Sequence, residues 1–192
     1  MEMLGPADHR NILRLCSTIL LGLLLLSRTS LAETGTLTAR VLWVYDADTI
    51  HVAGIGPVRL RGIDAPERQP DHRDRFFLKL GIDSIRLRPM HAVGKEFLEE
   101  LIKGQEVSLL VEAPARDRYG RLLAYVVMPD GRLANRVLLE KGLAIVYRHF
   151  DFQLKMDFLQ IERQARRKAV GLWESSVPLD GKTLPIPIDS HP

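Results

Sequence analysis

Cysteine is nearly absent: Cys16 is the only one in 192 residues, and it lies inside an apolar stretch close to the N-terminus. A chain that sheds that stretch has no thiol, which excludes disulfides and thiolate zinc sites; the core and any bound ion must stabilise it unaided. Long hydrophobic runs are missing too. The most apolar stretch, residues 15–26, is uncharged but shorter than the ~20 apolar residues of a membrane-spanning helix. Arg10 and Arg14 precede it, and Ser30-Leu31-Ala32 place small residues where a signal peptidase reads. Residues 1–32 are therefore read as an export signal cleaved after Ala32, with retention as an anchor the alternative. Leu15 ahead of Cys16 speaks against a lipoprotein signal, which wants a small residue there. Strong charge of one sign is absent as well: the net charge is +3 and the pI about 9.2. That balance permits a polyanionic partner without implying one. No internal repeat is present.

A chain of 192 residues, 46% hydrophobic and 27% charged, suits one domain with a real core. Residues 37–45 are rich in β-branched and aromatic side chains and predict a strand. The turn Asp46-Ala47-Asp48 and short strands over 49–52 and 58–63 complete a β-meander. A helix is predicted over 91–103, where Val93, Phe97 and Leu101 recur four apart beside Leu98 and Ile102, with Gly104 as its stop. Strands over 107–111 and 122–128 follow, then helices over 134–141 and 152–168. This order predicts an α+β domain, 35–175, around a small antiparallel barrel. A tail from 176 to 192, with Pro178, Pro185, Pro187 and Pro192, is expected to be extended. Residues 68–90 show no period and read either as a functional loop or as a surface insertion.

Three short clusters carry complementary chemistry: Asp46-Ala47-Asp48-Thr49; Arg59-Leu60-Arg61-Gly62-Ile63-Asp64-Ala65-Pro66-Glu67; and Asp117-Arg118-Tyr119-Gly120-Arg121. Carboxylates at turns suit a hard cation that takes several oxygen ligands, and arginines at strand ends present a planar fork that matches phosphate oxygens. Each cluster also has a plain reading. Asp favours turns because it bonds the local backbone, Asp64 through Glu67 could enter a helix with Pro66 at its first position, and Asp117 through Arg121 could be a polar hairpin loop.

Taken together, the clusters resemble the staphylococcal nuclease, or thermonuclease, family from about Thr38 to Trp173, a match extended by Leu122-Leu123-Ala124-Tyr125, Asn135, Gly142-Leu143-Ala144 and Gly171-Leu172-Trp173. The resemblance implies a five-stranded antiparallel OB-fold barrel with three helices and a calcium-dependent cleavage of DNA and RNA. It implies that Asp48, Asp64 and the backbone carbonyl of Ala65 ligate calcium, with Asp46 in an outer position. Glu67 matches the general base or the group that orders the attacking water, and Arg59 and Arg121 match the arginines that bind the scissile phosphate. Tyr119, with Arg118 beside it, matches the nucleotide-lining position. Because attack of water adds negative charge to the phosphorus oxygens, such sites need fixed positive groups and a carboxylate near the nucleophile. No serine, cysteine or histidine nucleophile is required.

Departures from the family pattern are also visible. Ala47 stands where glycine is common, so the turn must avoid a positive φ there, and Ala65 replaces a common threonine. The 68–90 segment is longer than in the best-known member. It is expected to border the site and grip phosphates beyond the scissile one through Arg73, Arg75 and Arg86, with Phe76 or Phe77 packing under the loop or stacking a base. The alternative function is a non-catalytic OB-fold module that holds nucleic acid without cutting it; an oligosaccharide-binding OB fold leaves the paired arginines unexplained. The expected product is a monomer, periplasmic or secreted, with no stable membrane association once the signal is removed.

Overall fold

The computed structural model describes residues 35–174; the expected leader and the proline-containing tail lie outside them. Strand β1 (Gly35–Asp46) is long enough to serve two partners. Its first half pairs with β5 (Glu106–Val111) and its second with β2 (Thr49–Val52), both antiparallel. Val41 and Val44 are buried while Leu42 and Trp43 both face outward, which the two-residue period of a strand does not allow. A register shift between Val41 and Trp43 resolves the conflict, and a second between Val44 and Asp46 ends the strand in the acidic turn. Bulges of this kind re-aim side chains next to functional sites.

The barrel closes in the order β1-β2-β3-β6-β5, with β3 spanning Gly56–Leu60 and β6 spanning Leu122–Val127. One pairing departs from expectation. Val58, Arg59 and Leu60 run parallel to Leu122, Leu123 and Ala124, so the barrel is mixed rather than antiparallel. The long excursion between β3 and β6, which contains two helices and β5, supplies the crossover a parallel pair requires. A two-stranded antiparallel ribbon of β4 (Ile63–Asp64) and β7 (Ile145–Val146) stands beside it.

Four α-helices occur among the described residues where three were expected: α1 (Asp74–Lys79), α2 (Ser84–Ile102), α3 (Ala134–Glu140) and α4 (Lys155–Arg167). The extra helix, α1, lies in the segment without a period. It is only 6 residues long, too short for a 3.6-residue period to declare itself. Helix α2 begins seven residues before the predicted start, where the Asp83 side chain caps it by accepting from the Ile85 N–H at 3.1 Å. It carries Pro89 within its opening turns, a residue that ordinarily marks a helix boundary.

The barrel interior is filled by Val41, Val44, Ile50, Val52, Val58, Leu60, Leu109 and Val126, and α2 contributes Leu87, Leu98 and Ile102. Two features lock the outer layer. Asn135 is fully buried; its Oδ1 accepts from the Val126 N–H and its Nδ2 donates to the Arg61 carbonyl, each at 2.9 Å. The glycine-led triplets at 142 and 171 meet each other. Gly142 adopts φ +66°, and a Cβ there would stand 2.2 Å from the Val170 carbonyl oxygen, while the Leu172 N–H donates to the Gly142 carbonyl at 2.8 Å. Only glycine permits both the left-handed backbone and that approach.

Candidate active site

The β1–β2 turn, the end of β3, and β4 bring the acidic and basic clusters to one edge of the barrel. Asp46 forms an Asx turn by accepting from the Asp48 N–H at 3.0 Å. Among the described residues Ala169 is the sole non-glycine with positive φ, so the turn at Ala47 avoids the left-handed region as alanine requires. Asp48 is buried and saturated: Thr49 Oγ1 and the Ala65 N–H donate to it at 2.8 Å each, and Arg59 Nη1 pairs with its Oδ1. Arg59 Nη2 donates to Asp64 Oδ1 at 2.5 Å and to the Ile63 carbonyl at 3.3 Å. The fork assigned by resemblance to the phosphate thus bridges the two carboxylates assigned to the cation.

Arg121 reaches the same edge from the loop before β6. Asp117 holds it by accepting from its Nε at 2.8 Å and from its N–H at 3.0 Å, and Arg121 Nη1 approaches Thr49 Oγ1 at 3.5 Å. Tyr119 is 68% exposed at the rim. Arg118 lies over its ring at 4.7 Å and Arg121 at 5.5 Å. Glu67 follows Pro66 beyond β4, half-buried, and borders an open groove of about 610 Å³ lined also by Tyr45, Asp46, Arg68, His91 and Lys95. The structure therefore gathers Asp46, Asp48, Arg59, Asp64, Ala65, Glu67 and Arg121, and leaves Tyr119 and Arg118 on the exposed margin.

The charges are unevenly settled. Burial, and then the neighbouring Asp48 charge, push the Asp46 carboxyl up to about 7. Burial likewise raises Asp64, although Arg59 pulls it back. At Asp48 burial is outweighed by Arg59 and by the Ala65 N–H, so its carboxyl is held below the usual range. Both shifts come first from burial, which disfavours the ionised carboxylate, and the Asp48 charge adds to it. Asp64 Oδ2 is buried and, among the described residues, has no hydrogen-bond partner. An orphaned oxygen among all-oxygen donors fits a hard divalent cation. Among the described residues no three His, Asp or Glu side chains converge on one point, so a cation here would complete its shell from backbone, water or phosphate.

Two participants take roles that the sequence did not assign to them. Asp117 orients Arg121, a role hinted at by the four-residue spacing within a polar loop. Arg73, from the 68–90 segment, reaches Asp64 Oδ1 at 3.1 Å and pairs with Glu67. In the rest of that segment the phenylalanines pack under the loop, one of the two expected arrangements, and the expected phosphate grip is corrected at Arg86. Phe77 is core, and Phe76 lies against His149 with ring centroids 4.3 Å apart. Arg86 is buried and bonds the Gly171 carbonyl at 2.7 Å and Glu174 at 3.1 Å. Arg88 bonds Asp74 at 2.6 Å.

Residues 57–175 match the family described as staphylococcal nuclease homologue. An uncharacterized protein of Methanocaldococcus jannaschii is 35% identical over 149 residues, covering 71% of this chain and 72% of its own. A protein of Escherichia coli named as an uncharacterized endonuclease is 32% identical over 143 residues, 73% of this chain and 79% of its own. The thermonuclease of Staphylococcus hyicus is 29% identical over 147 residues, 72% and 76% respectively.

Proposed function

The chain belongs to the staphylococcal nuclease family, and on that premise we propose that it is an exported, calcium-dependent nuclease that hydrolyses phosphodiester bonds of DNA and RNA with little sequence specificity. The observation that carries this reading is the convergence of Asp48, Arg59, Asp64, Glu67 and Arg121 on one barrel edge, beside the orphaned Asp64 Oδ2. Asp48, Asp64 and the Ala65 carbonyl would hold calcium, with Asp46 behind them. When bound, calcium supplies a fixed positive charge toward the phosphate oxygens and the attacking water.

The chain's own groups do the rest. Arg121, braced by Asp117, presents its Nη groups to the phosphate; Arg59, already turned into the site, supplies the second fork as the phosphate arrives. Positive charge already fixed in position stabilises the transition state with little reorganisation of solvent, and one such donor is worth about 10²–10³ in rate. Glu67 orders the water or takes its proton. Tyr119 and Arg118 contact the neighbouring nucleotide by stacking and charge, which tolerates any base. Export to the periplasm or medium follows from residues 1–32, and the protein acts as a monomer.

The test is cleavage of single-stranded DNA, duplex DNA and RNA by the purified protein, with calcium and then with chelator. Cleavage of these substrates that chelator abolishes supports the reading. Binding without cleavage points instead to the non-catalytic module.

A further inference from the structure

The 68–90 segment delivers to the site a guanidinium that does not belong to the barrel. Glu67 needs something of this kind. It sits in coil three residues beyond β4, outside any helix or strand, and its side chain is 30% exposed. A glutamate so placed has several rotamers, and a water-ordering carboxylate is of use only in one orientation. Among the described residues Arg73 is its one ion-pair partner. The same guanidinium donates from Nη1 to Asp64 Oδ1 at 3.1 Å, and its Nε lies 3.4 Å from Asp71 Oδ1.

The backbone that presents Arg73 is itself fixed. Its N–H donates to Asp71 Oδ1 at 2.7 Å, forming an Asx turn directly before α1. Phe77 anchors α1 in the core, Phe76 lies against His149, and Asp74 is tied to Arg88 of α2. An arginine on a docked helix start that pairs with Glu67 and with Asp64 ties the two carboxylates to one another.

Resting on the functional reading above, we propose that Arg73 is a positioning residue: it clamps Glu67 to Asp64, so that the docking of α1 sets where the water-ordering carboxylate stands. Two consequences have opposite signs. Loss of Arg73 frees Glu67 and slows turnover. It also removes a positive charge from Asp64, and cation binding there tightens. A purely structural residue does not give the two together.

The experiment compares wild type, Arg73→Ala, Arg73→Lys and Arg73→Gln. Steady-state cleavage of a single-stranded oligonucleotide gives kcat and KM, and calorimetric titration with calcium alone gives a readout independent of activity. Arg73→Ala is expected to lose roughly 10–100-fold in kcat, the scale of a misplaced catalytic group, with KM within about twofold. Arg73→Lys, which keeps one charge but no fork, recovers part of the loss. Calcium affinity is expected to rise about threefold or more in Arg73→Ala and Arg73→Gln. Should Arg73→Ala fail to fold by circular dichroism, Arg73→Gln and Arg73→Lys carry the same comparison. Unchanged kcat, a rise confined to KM, or calcium affinity that falls or stays level overturns the proposal. An inactive wild type overturns the functional reading and the role of Glu67 with it, whereas an active wild type beside fully active variants overturns this inference alone.

Discussion

A methyl group on Gly94 of α2 would lie 2.9 Å from the Cβ of Ala47, in the acidic turn that carries Asp46 and Asp48. The helix therefore rests directly on the turn, and alanine at 47 is accommodated by glycine at 94. Gly94→Ala gains helix propensity of about 1 kcal/mol but must push α2 off the turn, at an overpacking cost of about 1–3 kcal/mol. The expected result is a lower melting temperature together with weaker activity, because the shift falls on the carboxylate turn. Adding Ala47→Gly to Gly94→Ala should recover most of the loss. A strictly additive double variant would show that the two residues do not touch.

The two central carboxylates should respond differently to neutralisation in the metal-free protein. Asp48 accepts from Thr49, Ala65 and Arg59, and its carboxyl is held low. Asp64 is pushed up by burial and keeps an oxygen with no hydrogen-bond partner among the described residues. Asp48→Asn is therefore expected to lower stability by about 2–4 kcal/mol, since charged hydrogen bonds at a buried site are lost. Asp64→Asn should cost less or raise stability. Denaturant melts in chelator check the order, and both variants should lose calcium binding and cleavage. Full activity of either in chelator would remove them from the cation site.

Much of this site is legible in the sequence because its parts are charged residues grouped in turns, where neither core packing nor a helix face accounts for them. Asp48, Arg59, Asp64 and Arg121 fall where the three clusters place them, and the structure joins them through contacts such as Arg59 to Asp64. What was not legible depends on long-range closure. The parallel pairing of Val58–Leu60 residues with Leu122, Leu123 and Ala124 follows from how the barrel closes, and no local pattern encodes it. Pro89 hides the first turns of α2, and the short α1 offers no period. Arg73 lies close in sequence to Asp64 and Glu67, yet only the turn before α1 points it back at them. Asn135 stands beside Arg136 in a helix that also carries Glu140, so nothing local marks it as buried, and its partners, Val126 and Arg61, come from elsewhere in the chain.

Arg121 and Glu67 are assigned different tasks, and kinetics can separate them. Arg121→Lys keeps a charge but loses the Nε contact to Asp117 and the fork, so kcat should fall by about 10²-fold. Asp117→Asn leaves the guanidinium but weakens its brace, and a smaller loss is expected. Glu67→Gln should lower kcat while binding of a non-hydrolysable nucleotide stays level, because its work is on water. If Glu67→Gln weakens that binding at unchanged kcat, Glu67 is a phosphate-side or structural group instead.

The rim provides the last test, and it separates affinity from chemistry. Tyr119 is 68% exposed, with Arg118 and Arg121 over its ring at 4.7 and 5.5 Å. An exposed aromatic ring at the rim is a platform on which a base can stack. Tyr119→Ala is expected to weaken single-strand binding by about 1–3 kcal/mol, the range for loss of one stacked base. Arg118→Ala removes one phosphate contact and should flatten the slope of log affinity against log salt by about 0.7. Neither should alter calcium affinity, since neither touches Asp48 or Asp64. Arg86→Ala is the control from the 68–90 segment. Its guanidinium is buried on Gly171 and Glu174, so it should lower the melting temperature and leave the salt slope unchanged. A slope that responds to Arg86 and not to Arg118 would move the substrate path from the Tyr119 rim to the α1–α2 side of the barrel.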